Sequence, residues 1–228
     1  MNTENQPYRT TRSYVRREGR ITRAQQQALE VLLPHYGLAA GQPVDWLKTF
    51  GRRAPRTMEI GFGNGTSLAA MAEQEPESDF LGIEVHRPGV GHLLLELERR
   101  RLSNVRVIHA DAVTVIERCI PEQSLDRVLL FFPDPWPKKR HHKRRIVQPD
   151  FIGRVGHTLA IGGTLHLATD WEDYARYMLV VMNTAVEFRN SAGKGRFSPR
   201  PVSRPLTKFE HRGRQLGHGV WDLVFEKI

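Results

Sequence analysis

The sequence predicts an α/β protein built on a mostly parallel sheet of seven strands with helices on both faces, and three observations carry that expectation. From Arg56 onward, short apolar runs alternate with helical patterns for more than a hundred residues. The run Val128-Leu129-Leu130-Phe131-Phe132 is apolar on both faces, short and bounded by Pro133, as a buried parallel strand should be. A glycine-rich segment, Gly61-Phe62-Gly63-Asn64-Gly65, follows the first strand and opens a helix at Thr66, the connection at which doubly wound sheets bring a nucleotide onto their edge.

Taken in order, residues 1–23 carry Arg9, Arg12, Arg16, Arg17, Arg20 and Arg23 with few large apolar residues, so burial cannot offset the entropy of ordering them. They are expected to form a flexible basic arm, and residues 24–228 a single domain. Ala24 to Leu33 has helical character. Pro34 to Pro55 mixes turn residues with Val44, Trp46, Leu47 and Phe50, which are placed to cap the sheet edge. Strands are expected at Thr57–Ile60, Phe80–Glu84, Val105–Ile108, Asp126–Phe132 and Thr164–Ala168, with short ones at Val186–Phe188 and Trp221–Phe225. Leu93, Leu94, Leu95, Leu97 and Leu102 give the second intervening helix its apolar side, opposite Glu96, Glu98, Arg99, Arg100 and Arg101. A further helix spans Trp171 to Ala185, with Asp170 as its expected N-cap.

Composition narrows the function. A net charge of +9 and a pI near 10.1 are unusual for an enzyme of small metabolites and natural for one with a polyanionic partner. The charge is concentrated after Phe132: from Lys138 to Arg145 there are six Lys or Arg and two His with no acid among them. Such a run repels itself unless an anion occupies it, and a phosphodiester backbone fits. A single cysteine, Cys119, excludes an intrachain disulfide and a Cys-rich zinc site, and suits a reducing cytoplasm. The N-terminus lacks an apolar run of signal-peptide length and no membrane-spanning run occurs, so a cytoplasmic protein without membrane association is expected. His141 and His142 lack a third ligand at suitable spacing, and no metal is predicted.

The glycine segment lacks the Gly-Lys-Ser/Thr ending of a P-loop. Glu59, at the end of the first strand, would repel a pyrophosphate but could accept hydrogen bonds from a ligand ammonium. That contrast favours S-adenosylmethionine, with its ammonium and its cationic sulfonium, over a dinucleotide. Glu84 ends the second strand, placed for a ribose diol, and Asp111 follows the third, placed for an adenine amino group. Asp134 follows the fourth. Four acids at successive strand ends exceed what helix capping explains.

This set resembles the bacterial tRNA (guanine-N7-)-methyltransferases. The resemblance rests on Glu59 to Gly65, on Gly82-Ile83-Glu84-Val85-His86, on the run from Phe131 through Asp134 and Trp136 to Arg145, on Thr169-Asp170, and on Thr207-Lys208-Phe209-Glu210. It spans most of the chain from about Glu59. The glycine segment alone indicates a class I methyltransferase of Rossmann-like fold, while the proline-framed Asp134 and the late Thr-Lys-Phe-Glu point to this family.

The resemblance implies methyl transfer from S-adenosylmethionine to N7 of a guanosine in the tRNA variable loop, guanosine 46 in the family, leaving S-adenosylhomocysteine. It implies Glu59, Gly61, Gly63, Gly65, Glu84, Asp111 and Asp134 as cofactor-binding, Asp134 also as catalytic, and Lys138, Asp170, Thr207, Lys208, Phe209 and Glu210 as substrate-binding. Arg140, His141, His142, Lys143, Arg144 and Arg145 are expected to contact RNA. Trp136 could stack on a base or cover the end of the sheet. Three other readings stand beside this one: an amino-methyltransferase of adenine or cytosine, whose acid-proline-proline-aromatic pattern is poorly matched here; a non-enzymatic RNA-binding protein on a Rossmann-like core; and a nicotinamide oxidoreductase, for which the basic run has no purpose. Monomer and homodimer are both compatible with the sequence.

Overall fold

The computed structural model describes residues 13–14, 19–205, 210 and 219–228. Of the basic arm, only Ser13, Tyr14 and residues 19–23 fall among these, and the expectations for Thr207, Lys208 and Phe209 lie outside them.

Seven strands form one sheet: β1 (Arg56–Ile60), β2 (Asp79–Ile83), β3 (Val105–Ile108), β4 (Leu125–Phe131), β5 (Leu159–Thr169), β6 (Phe188–Asn190) and β7 (Trp221–Lys227), in the order β3-β2-β1-β4-β5-β7-β6. The first five are parallel, whereas β7 runs antiparallel between β5 and β6. Six of the seven expected strands are present, and the seventh, expected at Val186–Phe188, starts two residues later at Phe188 because residues 186–187 form a turn. β5 begins five residues before the expected Thr164: Leu159 pairs with Leu125, the register then shifts across residues 160–163, and regular pairing resumes at Thr164 opposite Arg127.

Alternation along each strand sorts the core onto two faces. Met58, Ile60, Leu81, Ile83, Val128 and Leu130 face one way, and meet α3 (Trp46–Phe50), α6 (Ala112–Arg118), α7 (Pro149–Thr158) and α8 (Glu172–Thr184). Phe80, Val105, Val107, Leu129 and Phe131 face the other, and meet α1 (Arg23–Val31), α4 (Thr66–Gln74) and α5 (Arg87–Arg100). Both faces are thus covered, as the doubly apolar β4 requires.

The N-terminal helix starts with a capping box, Thr22 Oγ1 accepting from the Gln25 N–H while Gln25 accepts from the Thr22 N–H. It ends at Val31, and a one-turn α2 (Leu33–Tyr36) follows with Pro34 in its first turn. Beyond it the chain covers the outer edge of β3: the Leu38 N–H donates to Val107 O at 2.8 Å. Val44 and Trp46 enter the core as expected, but Leu47 points to solvent.

The site is placed by β1, which pairs with β2 on one side and β4 on the other. The chain order reverses there, so the loops after β1 and β4 diverge and leave a crevice at their carboxyl ends.

Candidate active site

Gly61, Gly63 and Gly65 have φ of 70°, 61° and 73°, a left-handed backbone in which a side chain is strained. Gly65 is the N-cap of α4, and a Cβ there would meet Leu93 at 2.6 Å, while positions 61 and 63 open onto free space. The loop turns its backbone outward and lines two adjoining cavities, of about 210 and 600 Å³, which share Gly61, Phe131 and Phe132.

Glu59 lies one residue before the end of β1 and faces the α4–α5 side, in register with Gly82 and Leu129. It is 3% exposed, lines the larger cavity, and its Oε2 is buried with no hydrogen-bond partner among the described residues. Burial, and secondarily the charge of Glu84, pushes this carboxyl up to about 8. A buried acceptor left unsatisfied beside a cavity is costly unless a ligand completes it.

Glu84 Oε2 accepts from the Gly63 N–H (2.8 Å), and Oε1 from the Val85 and His86 N–H groups (2.7 and 2.8 Å). Its first task is therefore to clasp the glycine loop to the end of β2. A carboxylate offers about four acceptor sites, so roughly one remains toward the smaller cavity that Glu84 also lines. Asp111 caps α6, its Oδ1 accepting from the Thr114 N–H at 3.1 Å, and lines the same cavity. Here the capping role and the cavity position coincide in one residue.

Asp134 is exposed and lines the smaller cavity with Gly61, Glu84 and Asp111. Its turn is unusual: Phe132 and Trp136, neither of them glycine, have φ of 51° and 46°. The Phe132 N–H still donates to Ala168 O (2.8 Å), extending the β4–β5 ladder before the chain breaks away. Strained residues on both sides of one carboxylate mark a site held in place by its surroundings. The Trp136 indole N–H donates to Ser13 O (3.2 Å), Arg144 lies over its ring at 4.9 Å, and Ser13 and Tyr14 border the smaller cavity. Nothing in the polar arm sequence signals that contact.

Two expectations are corrected here. Asp170 does not cap the helix after β5: α8 starts one residue later with Trp171 at the N-cap position, and Thr169 Oγ1 accepts the Trp171 N–H (3.2 Å). Asp170 is half-buried at the carboxyl end of β5, beside the end of β4. Arg145, expected to contact RNA, is buried instead. It is 2% exposed, donates through Nε to Pro135 O (2.9 Å), pairs with Asp173, and lies over Tyr174 and Tyr177 at 4.7 and 5.3 Å. It is an internal strut joining the Asp134 turn to α8.

The rest of the basic run forms a 3₁₀ helix, Lys139–Arg144. Lys138, at its N-cap, and Lys139, Arg140 and Lys143 are exposed, while His141, His142 and Arg144 are half-buried. Partial burial, then the charges of Arg140, Arg144, Lys138 and Lys143, holds His141 below the usual imidazole range. Glu210 is fully buried, Oε2 accepting from Arg204 at 2.6 Å, and it lines neither cavity. Among the described residues no group of three or more His, Cys, Asp or Glu could hold a metal, and no helix is long and apolar enough to cross a membrane.

A parallel sheet reversing at β1, a glycine loop whose backbone lines two cavities, and an acid at each of four strand ends define a Rossmann-like methyltransferase. Solved structures agree on the fold: the chain superposes on the 16S rRNA methyltransferase KamB with a TM-score of 0.60 at 12% identity, covering 82% of this chain and 95% of that one. A SAM-dependent methyltransferase from Aquifex aeolicus gives 0.53 at 13%, covering 80% and 87%. The family model described as "Putative methyltransferase" matches residues 53–223. Relatives called tRNA (guanine-N(7)-)-methyltransferase are 59% identical over 221 residues in Methylococcus capsulatus, covering 97% of this chain and 96% of theirs, and 60% identical over 222 residues in Alkalilimnicola ehrlichii, covering 96% and 93%. The chain belongs to the tRNA (guanine-N7-)-methyltransferase family.

Proposed function

We propose that this protein methylates N7 of a guanosine in the tRNA variable loop, position 46, with S-adenosylmethionine as donor, and that it does so in the cytoplasm. The observation that carries the reading is Asp134, held between two strained residues in the turn that links the rim of the cavity to the basic 3₁₀ helix.

The cavity suits the donor: Glu59 Oε2 lacks a partner among the described residues that an ammonium would supply, and the glycine loop leaves room for close backbone approach. When bound, S-adenosylmethionine supplies a methyl group on a sulfonium centre. Glu59 would hold the ammonium, the remaining acceptor of Glu84 a ribose hydroxyl, and Asp111 the adenine amino group, with Gly61, Gly63 and Gly65 giving the backbone surface.

Guanine N7 already presents a lone pair, so no residue needs to act as a base. Methylation leaves the ring cationic. Asp134 accepts from the guanine N1–H and amino group, and its charge stabilises the positive ring as it forms. Lys138 meets a phosphate, and Asp170 accepts a further guanine N–H. Thr207, Lys208, Phe209 and Glu210 enter through the resemblance alone. Most of the remaining acceleration comes from aligning N7 with the methyl and sulfur, an orientation effect of about 7–11 kcal/mol.

Arg140, His141, His142, Lys143 and Arg144 supply backbone affinity. Arg144→Ala removes one cation and should flatten the plot of log affinity for tRNA against log salt by roughly 0.7–0.9 for one lost phosphate contact. Arg145→Ala should leave that slope unchanged and instead lower the melting temperature, because it strands the Pro135 carbonyl and uncovers two tyrosines at a cost of about 1–3 kcal/mol. Equal slopes for the two variants would remove the distinction drawn between them.

The reading itself is tested by incubating the protein with labelled S-adenosylmethionine and unmodified tRNA, then digesting and identifying the labelled nucleoside. N7-methylguanosine is expected, lost when guanosine 46 is replaced. Label on adenosine or cytidine, or none, would overturn it.

A further inference from the structure

A group of buried charges outside both cavities connects β5, β7 and the wall of the crevice. Arg204 and Glu210 are 1% and 0% exposed, Asp222 on β7 is 2% exposed and His166 on β5 is 6% exposed. Arg204 donates from both terminal nitrogens to Glu210 (2.6 and 3.2 Å) and from Nη2 to Asp222 Oδ2 (3.1 Å), with its Nε 2.7 Å from Asp222 Oδ1. His166 Nε2 shares Asp222 Oδ1 at 2.7 Å. Burial works to raise the Asp222 carboxyl, but the His166 hydrogen bond and the Arg204 charge outweigh it and hold it below the usual range. Asp222 is therefore an anionic anchor fixed to the sheet.

The guanidinium also lies against the rings of Phe131 and Phe132, at 6.0 and 5.7 Å from their centroids. Phe132 is the strained residue that starts the Asp134 turn and lines both cavities. Pro205, next to Arg204, lines the larger one. One planar cation thus touches the sheet anchor, the buried glutamate and the residue from which the Asp134 turn departs.

We infer that Arg204 is a positioning residue for methyl transfer, fixing Glu210 and Phe132 relative to the sheet so that Asp134 meets the guanine in its reactive orientation. The inference rests on the proposed tRNA reading and adds to it a residue that touches neither cavity. Arginine is required chemically: two carboxylates must be bridged in one plane while the flat face stays against the rings, and a lysine ammonium does neither.

The test is Arg204→Lys in the full-length protein, with thermal melting, equilibrium binding of S-adenosylmethionine, and kcat and KM on tRNA. A misplacement near one ångström corresponds to a fall in kcat of about 100-fold, with affinity for S-adenosylmethionine unchanged. A folded Arg204→Lys protein with the parent's kcat overturns the inference. If that variant fails to fold, Arg204→Met combined with Asp222→Asn removes a buried cation and a buried anion together, leaving Glu210 with Arg200. A stable double variant that stays slow supports positioning, whereas recovery of kcat along with stability shows a structural role alone and sinks it. A parent protein unable to label tRNA overturns the functional reading and this inference with it, whereas an active parent beside an equally active, folded Arg204→Lys overturns this inference alone.

Discussion

Replacing Glu59 with glutamine is expected to weaken S-adenosylmethionine binding by roughly 10- to 150-fold, the equivalent of the 1.5–3 kcal/mol typical of a charge-assisted hydrogen bond. The same change should make the ligand-free protein more stable at pH 8. Both effects come from one cause: Glu59 Oε2 is buried without a partner among the described residues, and burial with the nearby Glu84 charge holds the carboxyl up to about 8. In the unfolded chain the group ionises near 4.5, as a solvated glutamate does. Below that pH the group is neutral in both states and folding is unaffected. Between 4.5 and about 8 only the unfolded chain releases the proton, so the stability Glu59 contributes is lost as pH rises through that window. Glutamine cannot ionise, so the melting temperatures of the parent and Glu59→Gln should diverge as pH rises from 4.5 to 8.

Ligand binding completes the cycle. An ammonium beside Glu59 favours the carboxylate, so binding near pH 7 must expel a proton and affinity should rise with pH toward 8. Calorimetry in buffers of different ionisation enthalpy would measure that proton, and Glu59→Gln should abolish it. Binding without proton release, or a variant that binds as tightly as the parent, would mean that Glu59 does not face the ammonium.

The sheet and the order of its acids were legible from sequence because both depend on local pattern: apolar runs of strand length, glycine where φ must be positive, and carboxylates directly after strands. Side-chain direction was not legible. Arg144 and Arg145 are neighbours of the same type, yet one lies over Trp136 at the surface and the other is enclosed by Pro135, Asp173 and two tyrosines. Nothing local separates them, since the difference comes from α8 packing against the turn. Asp170 met the rule for an N-cap, but Thr169 took the Trp171 N–H and the helix began a residue later. Glu84 stood where a ribose ligand belongs, and its three bonds to loop N–H groups became visible only once the glycine loop was folded against it. Arg204 could not be singled out among 34 basic residues because its partners come from β7 and from Glu210, brought together only in the folded sheet.

Asp134→Asn should separate chemistry from cofactor binding. The proposed role of the carboxylate grows along the reaction: it meets a neutral guanine at the start and a cationic ring at the end. Losing an interaction that strengthens toward the transition state lowers kcat, while losing one present throughout raises KM. Removing a preorganised electrostatic group of this kind costs about 100- to 1,000-fold in kcat. Asparagine adds to the loss, because its amide N–H₂ cannot accept from the guanine donors that the second carboxylate oxygen would have met. Asp134 borders the cavity from its exposed rim, whereas Glu59 sits buried inside the larger one. Affinity for S-adenosylmethionine in Asp134→Asn should therefore stay within about threefold of the parent, less than the value of one neutral hydrogen bond. Measured side by side, Glu59→Gln should shift cofactor affinity and Asp134→Asn turnover. If Asp134→Asn lost both in equal measure, the carboxylate would be serving the cofactor, and charge stabilisation at the guanine would have to come from Asp170 instead.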